Sequence, residues 1–325
     1  MTAPSEPIDV PGIPIRDRLR SLDWRQYIIY IGFAVVFVVF AVALGDKGFL
    51  TANNLLNVFR QTALISILAV GMTFVIGAGH IDLSVGATAG LASVATALAL
   101  GSIGLPGAIV VGVLVGLIVG LLNGVLVAYV SIPSFLVTLG TLGIVNGTAQ
   151  YLSKTSPIPI LNDTFTFVFG SGDIGPLPSL LIWTAITFVI GHVVLRKTAY
   201  GRRVLATGGN AVAAQFSGVD TKRITLVALT SMGVIAGLTG MLFAGRLHSG
   251  RFDHGAGAEL SVIAAVILGG TSLFGGRATV IGTLLGSLLI GLINNGLTLA
   301  SLPTSQQFIV RGVIIILAVA LAKKG

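Results

Sequence analysis

The stretch GAGHIDLSVGA (77–87) sets His80, Asp82 and Ser84 between two long apolar runs. An imidazole that titrates near neutrality, two positions from a carboxylate, has the chemistry of proton transfer or cation ligation. Ionisable groups within a membrane-spanning region are costly enough to indicate function. The same side chains suit an architectural role, because Asp82 and Ser84 can bond backbone groups freed where a helix breaks. Gly77, Gly79 and Gly86 permit such a break. Asn57, Asn123, Thr138, Asn294 and Asn295 add neutral hydrogen-bonding groups in or beside other apolar runs. Interhelical hydrogen bonds, worth about 0.6 kcal/mol on average, are one use for them.

The elements that must hold these residues are membrane helices. Of the 325 residues, 54% are hydrophobic and only 9% charged, and the mean hydropathy is +0.99. A soluble domain carries about a quarter charged residues. The 44 glycines fit close helix approach in a bilayer. The absence of cysteine excludes thiol catalysis and disulfides. A net charge of +8 reads as basic cytoplasmic loops rather than a nucleic-acid surface. GGTSLFGG (269–276) imitates part of a phosphate loop, but Arg277 follows where Lys and then Ser or Thr are required. No HExxH motif or pair of catalytic carboxylates lies in a span, so the sequence does not read as an enzyme.

A spanning helix needs roughly 20 apolar residues. Candidates lie at 27–44, 62–79, 83–101, 106–130, 133–152, 178–195, 224–245, 259–274, 278–300 and 307–322, ten in all. Ala41-Val42-Ala43 imitates a signal-peptidase site, yet the preceding apolar core is long and the span reads as an uncleaved anchor. With the amino terminus inside, 13 of the 19 Lys and Arg residues fall on the cytoplasmic side. They are Arg16, Arg18, Arg20, Arg25, Arg196, Lys197, Arg202, Arg203, Lys222, Arg223, Arg277, Lys323 and Lys324, while Lys47, Arg60, Lys154, Arg246, Arg251 and Arg311 fall outside. Both termini are therefore expected in the cytoplasm. Residues 1–26 form a cytoplasmic segment and 27–325 one all-α transmembrane domain.

GVLVGLIVGLLNGVLVAYVSIPS (112–134) aligns with GTLLGSLLIGLINNGLTLASLPT (282–304), matching Gly112 to Gly282, Gly116 to Gly286 and Pro133 to Pro303. With one inserted residue, Gly120 and Asn123 match Gly291 and Asn294. The copies stand five spans apart in order, so they run in opposite directions, an inverted repeat and a transporter signature. Gly112, Gly116, Gly120 and Gly124 form one smooth helix face for packing. The inner loop 196–223 contains a short helix candidate, AVAAQFSG, with Asn210 as N-cap and Gly218 as stop. Gly201, Gly208 and Gly209 are expected to provide turns that hold this helix out from the membrane.

Four stretches carry a family resemblance: GHIDLSVGA (79–87), IPSFLVTLGTLGIVNG (132–147), YGRRVLATGGNAVAAQFSGV (200–219) and AVILGGTSLFGGRATVIGTLLGSLLIGLINNGL (265–297). The chain resembles the membrane permease subunits of ABC importers for monosaccharides, the ribose, xylose and galactose group. The resemblance implies a fold of the vitamin-B12-importer type with about ten helices. It implies a second permease, two cytoplasmic ATPase subunits that use ATP and magnesium, and a soluble sugar-binding protein in a prokaryotic cell membrane. No cofactor or metal is expected in this chain. By the same resemblance, Tyr200, Gly201, Arg202, Arg203, Gly208, Gly209, Asn210, Ala213, Ala214, Phe216 and Gly218 belong to the segment that docks on the ATPase. Asn57, His80, Asp82, Ser84, Asn123, Thr138, Asn294 and Asn295 become candidates for a sugar pathway, with Phe135 able to stack on a ring. The family usually has glycine at the position of His80 and often arginine at Asn146, and Arg311 is unusual in its last helix. An ion-coupled carrier using His80 and Asp82 stays open at this point.

Overall fold

Strong apolar runs with few caps give long helices, and short polar caps mark where they start. The computed structural model describes residues 28–303, 305–307, 309, 310, 312 and 313. The sequence-predicted span 307–322 lies mostly outside these residues, as do segment 1–26, Arg311, Lys323 and Lys324. Helices α1 (Ile28–Ala43), α2 (Ala52–Gly77), α3 (Val85–Ala128) and α4 (Ser134–Ser153) come first. β1 (Ile158–Pro159), the single turn α5 (Asp163–Thr166), β2 (Asp173–Ile174) and β3 (Leu177–Pro178) follow, none of them anticipated from the sequence. Then come α6 (Ser179–Lys197), α7 (Ala199–Gly209), α8 (Ala211–Phe216), α9 (Thr221–Leu247), β4 (Ser249–Gly250), α10 (Ala258–Leu268) and α11 (Val280–Leu299). Among the described residues, α2, α3, α6, α9 and α11 are long and apolar enough to cross a membrane.

The expected spans 83–101 and 106–130 join in α3, which is 44 residues long and broken at Gly104, where φ is 73°. Pro106 removes a backbone donor just past that point. The halves fold back on each other, since Thr96 lies against Gly112. The expected span 259–274 is different: only Ala258–Leu268 is helical, 11 residues. At 1.5 Å per residue this is about 16 Å, half a bilayer core. Gly269 ends it, and positive φ values at Gly270, Gly275 and Gly276 turn the chain on.

The glycine face of α3 packs on α9. Gly116 meets the Gly233 carbonyl, Gly120 meets Gly233 and the Leu229 carbonyl, Gly112 meets Met241 and the Gly237 side of the crossing, and Gly124 meets Leu226. At Gly116 and Gly120 backbone lies on backbone, so a methyl group has no flexible neighbour to displace. Overpacking of this kind costs roughly 1–3 kcal/mol. Gly116→Ala is expected to lower the melting temperature of the detergent-solubilised protein by several degrees. Gly101→Ala, where a methyl group meets nothing within 4 Å, should leave it unchanged; equal effects would refute the packing assignment.

The aligned stretches end alike. Ser131 and Ser301 both hold positive φ, 63° and 61°. Two residues later, the carbonyls of Pro133 and Pro303 accept from Leu136 N at 3.0 Å and Gln306 N at 3.0 Å, opening the next helical turn. At one end of the molecule, Gly276 N donates to Gly77 O at 3.1 Å, and Gly208 packs against both. That end carries the basic segment 196–223. At the other end β1 pairs with β4 and β2 with β3, both antiparallel. There Arg60 pairs with Asp173 at 2.8 Å, and Arg246 Nη1 donates to Arg60 O at 3.1 Å.

Candidate functional site

The expected break exists, from Ala78 to Ser84 between α2 and α3. Gly79 turns the chain with φ 86°, and the following backbone donors must then find partners outside a helix. Hydroxyls from α4 supply them. Ile81 N donates to Ser134 Oγ at 3.1 Å and Leu83 N to Thr138 Oγ1 at 3.1 Å. Asp82 is 1% exposed, and its Oδ1 accepts from Ser84 N at 2.8 Å and Ser84 Oγ at 2.6 Å. Asn123 Nδ2 donates to Ser84 Oγ at 2.9 Å, and Thr141 Oγ1 donates to Asn123 Oδ1 at 2.7 Å. Asp82, Ser84 and Asn123 are thereby linked in one buried chain of hydrogen bonds, and Thr138 bonds the adjoining backbone at Leu83. His80 stands at its edge, with Nε2 2.9 Å from Thr225 Oγ1 at the start of α9.

The remaining pathway candidates lie apart from it. Asn295 and Asn54 exchange two amide bonds, 3.1 and 2.9 Å, joining α11 to α2. Asn294 borders a small cavity between the same helices, with Gln61, Thr62 and Ser287. Asn57 is exposed, and Phe135 is half exposed. Asn146 accepts from Gln150 Nε2 at 3.3 Å within α4.

A second break of the same kind joins α9 to α10, and the sequence reading passed over it. GRFDHGAGA (250–258) repeats GHIDLSVGA (79–87) with identical Gly, Asp, Gly and Ala positions. That match was the available signal. Its backbone runs beside the first half of α3: Gly250 lies against Ala97 and Ser93, the Phe252 and His254 carbonyls against Gly90, and Gly255 against Gly86. Arg251 N donates to Ser93 Oγ at 3.3 Å, and Ser93 Oγ lies 2.8 Å from His254 Nδ1. Arg251 holds Asp253 with two bonds of 2.9 and 2.7 Å. The Glu259 carboxylate lies over Gly86.

The segment 196–223 is two helices rather than a turn and a helix. Asn210 Oδ1 accepts from Ala213 N at 3.0 Å and caps α8, and Gly218 follows with φ 82°. Gly201, Gly208 and Gly209 do not make turns. They lie within α7, where Gly201 packs on the Val194 and Leu195 carbonyls and Gly208 on Gly77. The glycines serve close approach, because a continuous helix satisfies the backbone that turns would have left open. Tyr200 stacks on Phe74 at 6.2 Å, and burial raises its pKa, holding the phenol protonated. Ala214 faces inward, while Arg202, Arg203, Val212, Ala213 and Phe216 are exposed, Phe216 at 90%.

A family described as "Branched-chain amino acid transport system / permease component" matches residues 54–319. The ribose import permease protein RbsC of Bacillus subtilis is 39% identical over 297 residues, covering 91% of this chain and 92% of its own. The xylose transport system permease protein XylH of Haemophilus influenzae is 33% identical, covering 93% and 97%. The L-arabinose ABC transporter permease protein AraH of Azospirillum brasilense is 36% identical, covering 98% and 93%. No solved structure matches. With the family model matching residues 54–319 and these relatives covered over most of their length, the chain belongs to this family of transport-system permease components.

Proposed function

We propose that the chain is the permease subunit of an ATP-driven importer for a monosaccharide or closely related polyol. Near-full-length similarity to permeases named for ribose, xylose and arabinose carries the reading. The family description names branched-chain amino acids, whereas the near-full-length relatives are named for pentoses. The fold we infer is the vitamin-B12-importer type, with about ten crossings and an inverted repeat, both termini cytoplasmic in a prokaryotic inner membrane. A second permease, two ATPase subunits and a soluble binding protein complete it. In this scheme α7 and α8 dock on the ATPase, and the network around Asp82 seals a helix break. His80, Asn57, Phe135 and Asn294 are the candidates left for the solute path. The sealed carboxylate and family membership both weigh against an ion-coupled carrier.

Uptake tests the substrate class directly. The permease, co-expressed with its ATPase and binding protein and reconstituted in vesicles, is expected to accumulate a labelled pentose only with ATP inside. Accumulation of leucine but no pentose would overturn the substrate reading, and accumulation driven by a proton or sodium gradient without ATP would overturn the ABC reading.

A further inference from the structure

The Arg251–Asp253 pair sits where a membrane protein has no use for charge unless water or a solute meets it. Its depth follows from three contacts along α3. Thr96 lies against Gly112, and Ser84 bonds Asn123. Ser93 is therefore level with about residue 115, midway along the second half of α3 (105–128). Arg251 N bonds Ser93, and the chain continues past Gly90 to Gly86, about 10 Å nearer the basic end at 1.5 Å per residue. The charged segment is thus in the middle third of the crossing. Yet the Arg251 and Asp253 side chains are 45% and 39% exposed, Ala256 is exposed, and Glu259 is partly so. Charged side chains at such depth face a protein interior or an aqueous cavity, not hydrocarbon.

The two breaks have matching sequences and opposite treatment. At the first, Asp82 is fully covered by Ser84 and α4 and has no room for a ligand. At the second, Asp253 takes its partner from two residues away on the same segment and leaves a face open. Beside it, His254 is 5% exposed and stacks on Phe243, and its Nε2 is buried without a partner among the described residues. A carboxylate held by a guanidinium, with a second carboxylate six residues on at the start of α10, offers hydrogen-bond acceptors and donors to a hydroxyl-bearing solute. Broken helices near mid-depth are where transporters of several kinds hold their solute.

We propose that Arg251, Asp253 and Glu259 form a transient contact point for a neutral polyhydroxylated solute, a sugar or polyol, halfway through the path. This rests on the importer reading above. The binding is weak by design of the site: an exposed pair loses little on release, so the solute is passed on rather than retained.

The absence of native cysteine makes the first test clean. Ala256→Cys is expected to react with a charged, membrane-impermeant thiol reagent at least tenfold faster than Val189→Cys on the exposed face of α6. Labelling confined to a lipophilic reagent would place the segment against lipid and overturn the proposal. The second test uses Asp253→Asn and Glu259→Gln in complexes that co-purify with the ATPase. Uptake of two competing pentoses should fall about tenfold, with their ratio changed at least threefold. A purely structural role would lower both alike, so an unchanged ratio overturns the proposal, as does uptake within twofold of the parent. If the parent complex moves no pentose at all, the importer reading has failed, independently of the labelling result.

Discussion

Ala213→Glu is expected to insert and fold like the parent permease and to lose coupling to ATP hydrolysis in the proposed complex. The side chain of Ala213 is exposed on α8 and supports nothing in its own chain; only its backbone N–H is used, by Asn210. Surface changes of this kind alter stability by about 0.5 kcal/mol or less. A partner pocket shaped for small residues beside an aromatic anchor is another matter. Phe216, 90% exposed at the end of a six-residue helix, has the size and position of such an anchor. Truncating a buried anchor costs roughly 2 kcal/mol or more, about thirtyfold in affinity. Co-purification with the ATPase and ATP consumed per sugar delivered are the measurements. Normal uptake with the ATPase still bound would show that α8 is only a basic loop's ornament. Ala213→Cys should be labelled only by reagents that reach the cytoplasm, and labelling from outside would invert the topology.

The second large effect is expected at Asp82, and the two substitutions there should diverge. Asp82→Leu removes the acceptor for Ser84 N and Ser84 Oγ in a site with no water access. Leaving buried donors unsatisfied costs about 1–3 kcal/mol each. Little folded permease should be recovered in detergent. Asp82→Asn keeps an oxygen in place and should preserve assembly and most uptake. If instead Asp82→Asn assembles normally but collapses uptake, with a shifted pH profile, the carboxylate is a proton or cation site and the architectural role is wrong.

How far the sequence could be read depended on what kind of signal each element leaves. Long apolar runs announced α4, α6, α9 and α11 within a few residues of their ends, whereas α2 begins ten residues before its expected span 62–79, in the polar stretch ANNLLNVFRQ. The break at 78–84 was legible because polar residues interrupt such a run, and α8 because Asn210 and Gly218 bracket it. The half-helix α10 was misread as a span, because the apolar run 259–268 continues into GGT and hydropathy is blind to the turn at Gly269 and Gly270. The bonds that hold the rest of the break come from Ser134 to Ile81 N, from Thr138 to Leu83 N and from Asn123 to Ser84, about 40 to 55 residues away, and distance along the chain hid them. Arg251 was counted as an outer-side charge, and Asp253 was not singled out. Their depth became visible only once Ser93 and Gly90 were seen to guide the chain inward. The small strands at 158–159 and 249–250 leave almost no periodic signal at two residues each.

The junction of Gly77, Gly208 and Gly276 bears on how motion crosses the molecule. These three meet backbone to backbone, with no side chain between them. Side chains yield by changing rotamer and so act as springs; peptide planes in contact do not. The joint between α7 and the end of α2 is therefore stiff, and it lies one residue before the break that begins at Ala78. In the proposed docking of α7 and α8, a push on α8 would reach that hinge with little of its stroke absorbed, much as a rigid linkage turns a crank. Gly208→Ala would add a methyl group where the Gly77 carbonyl sits, and the linkage would bind before it could move.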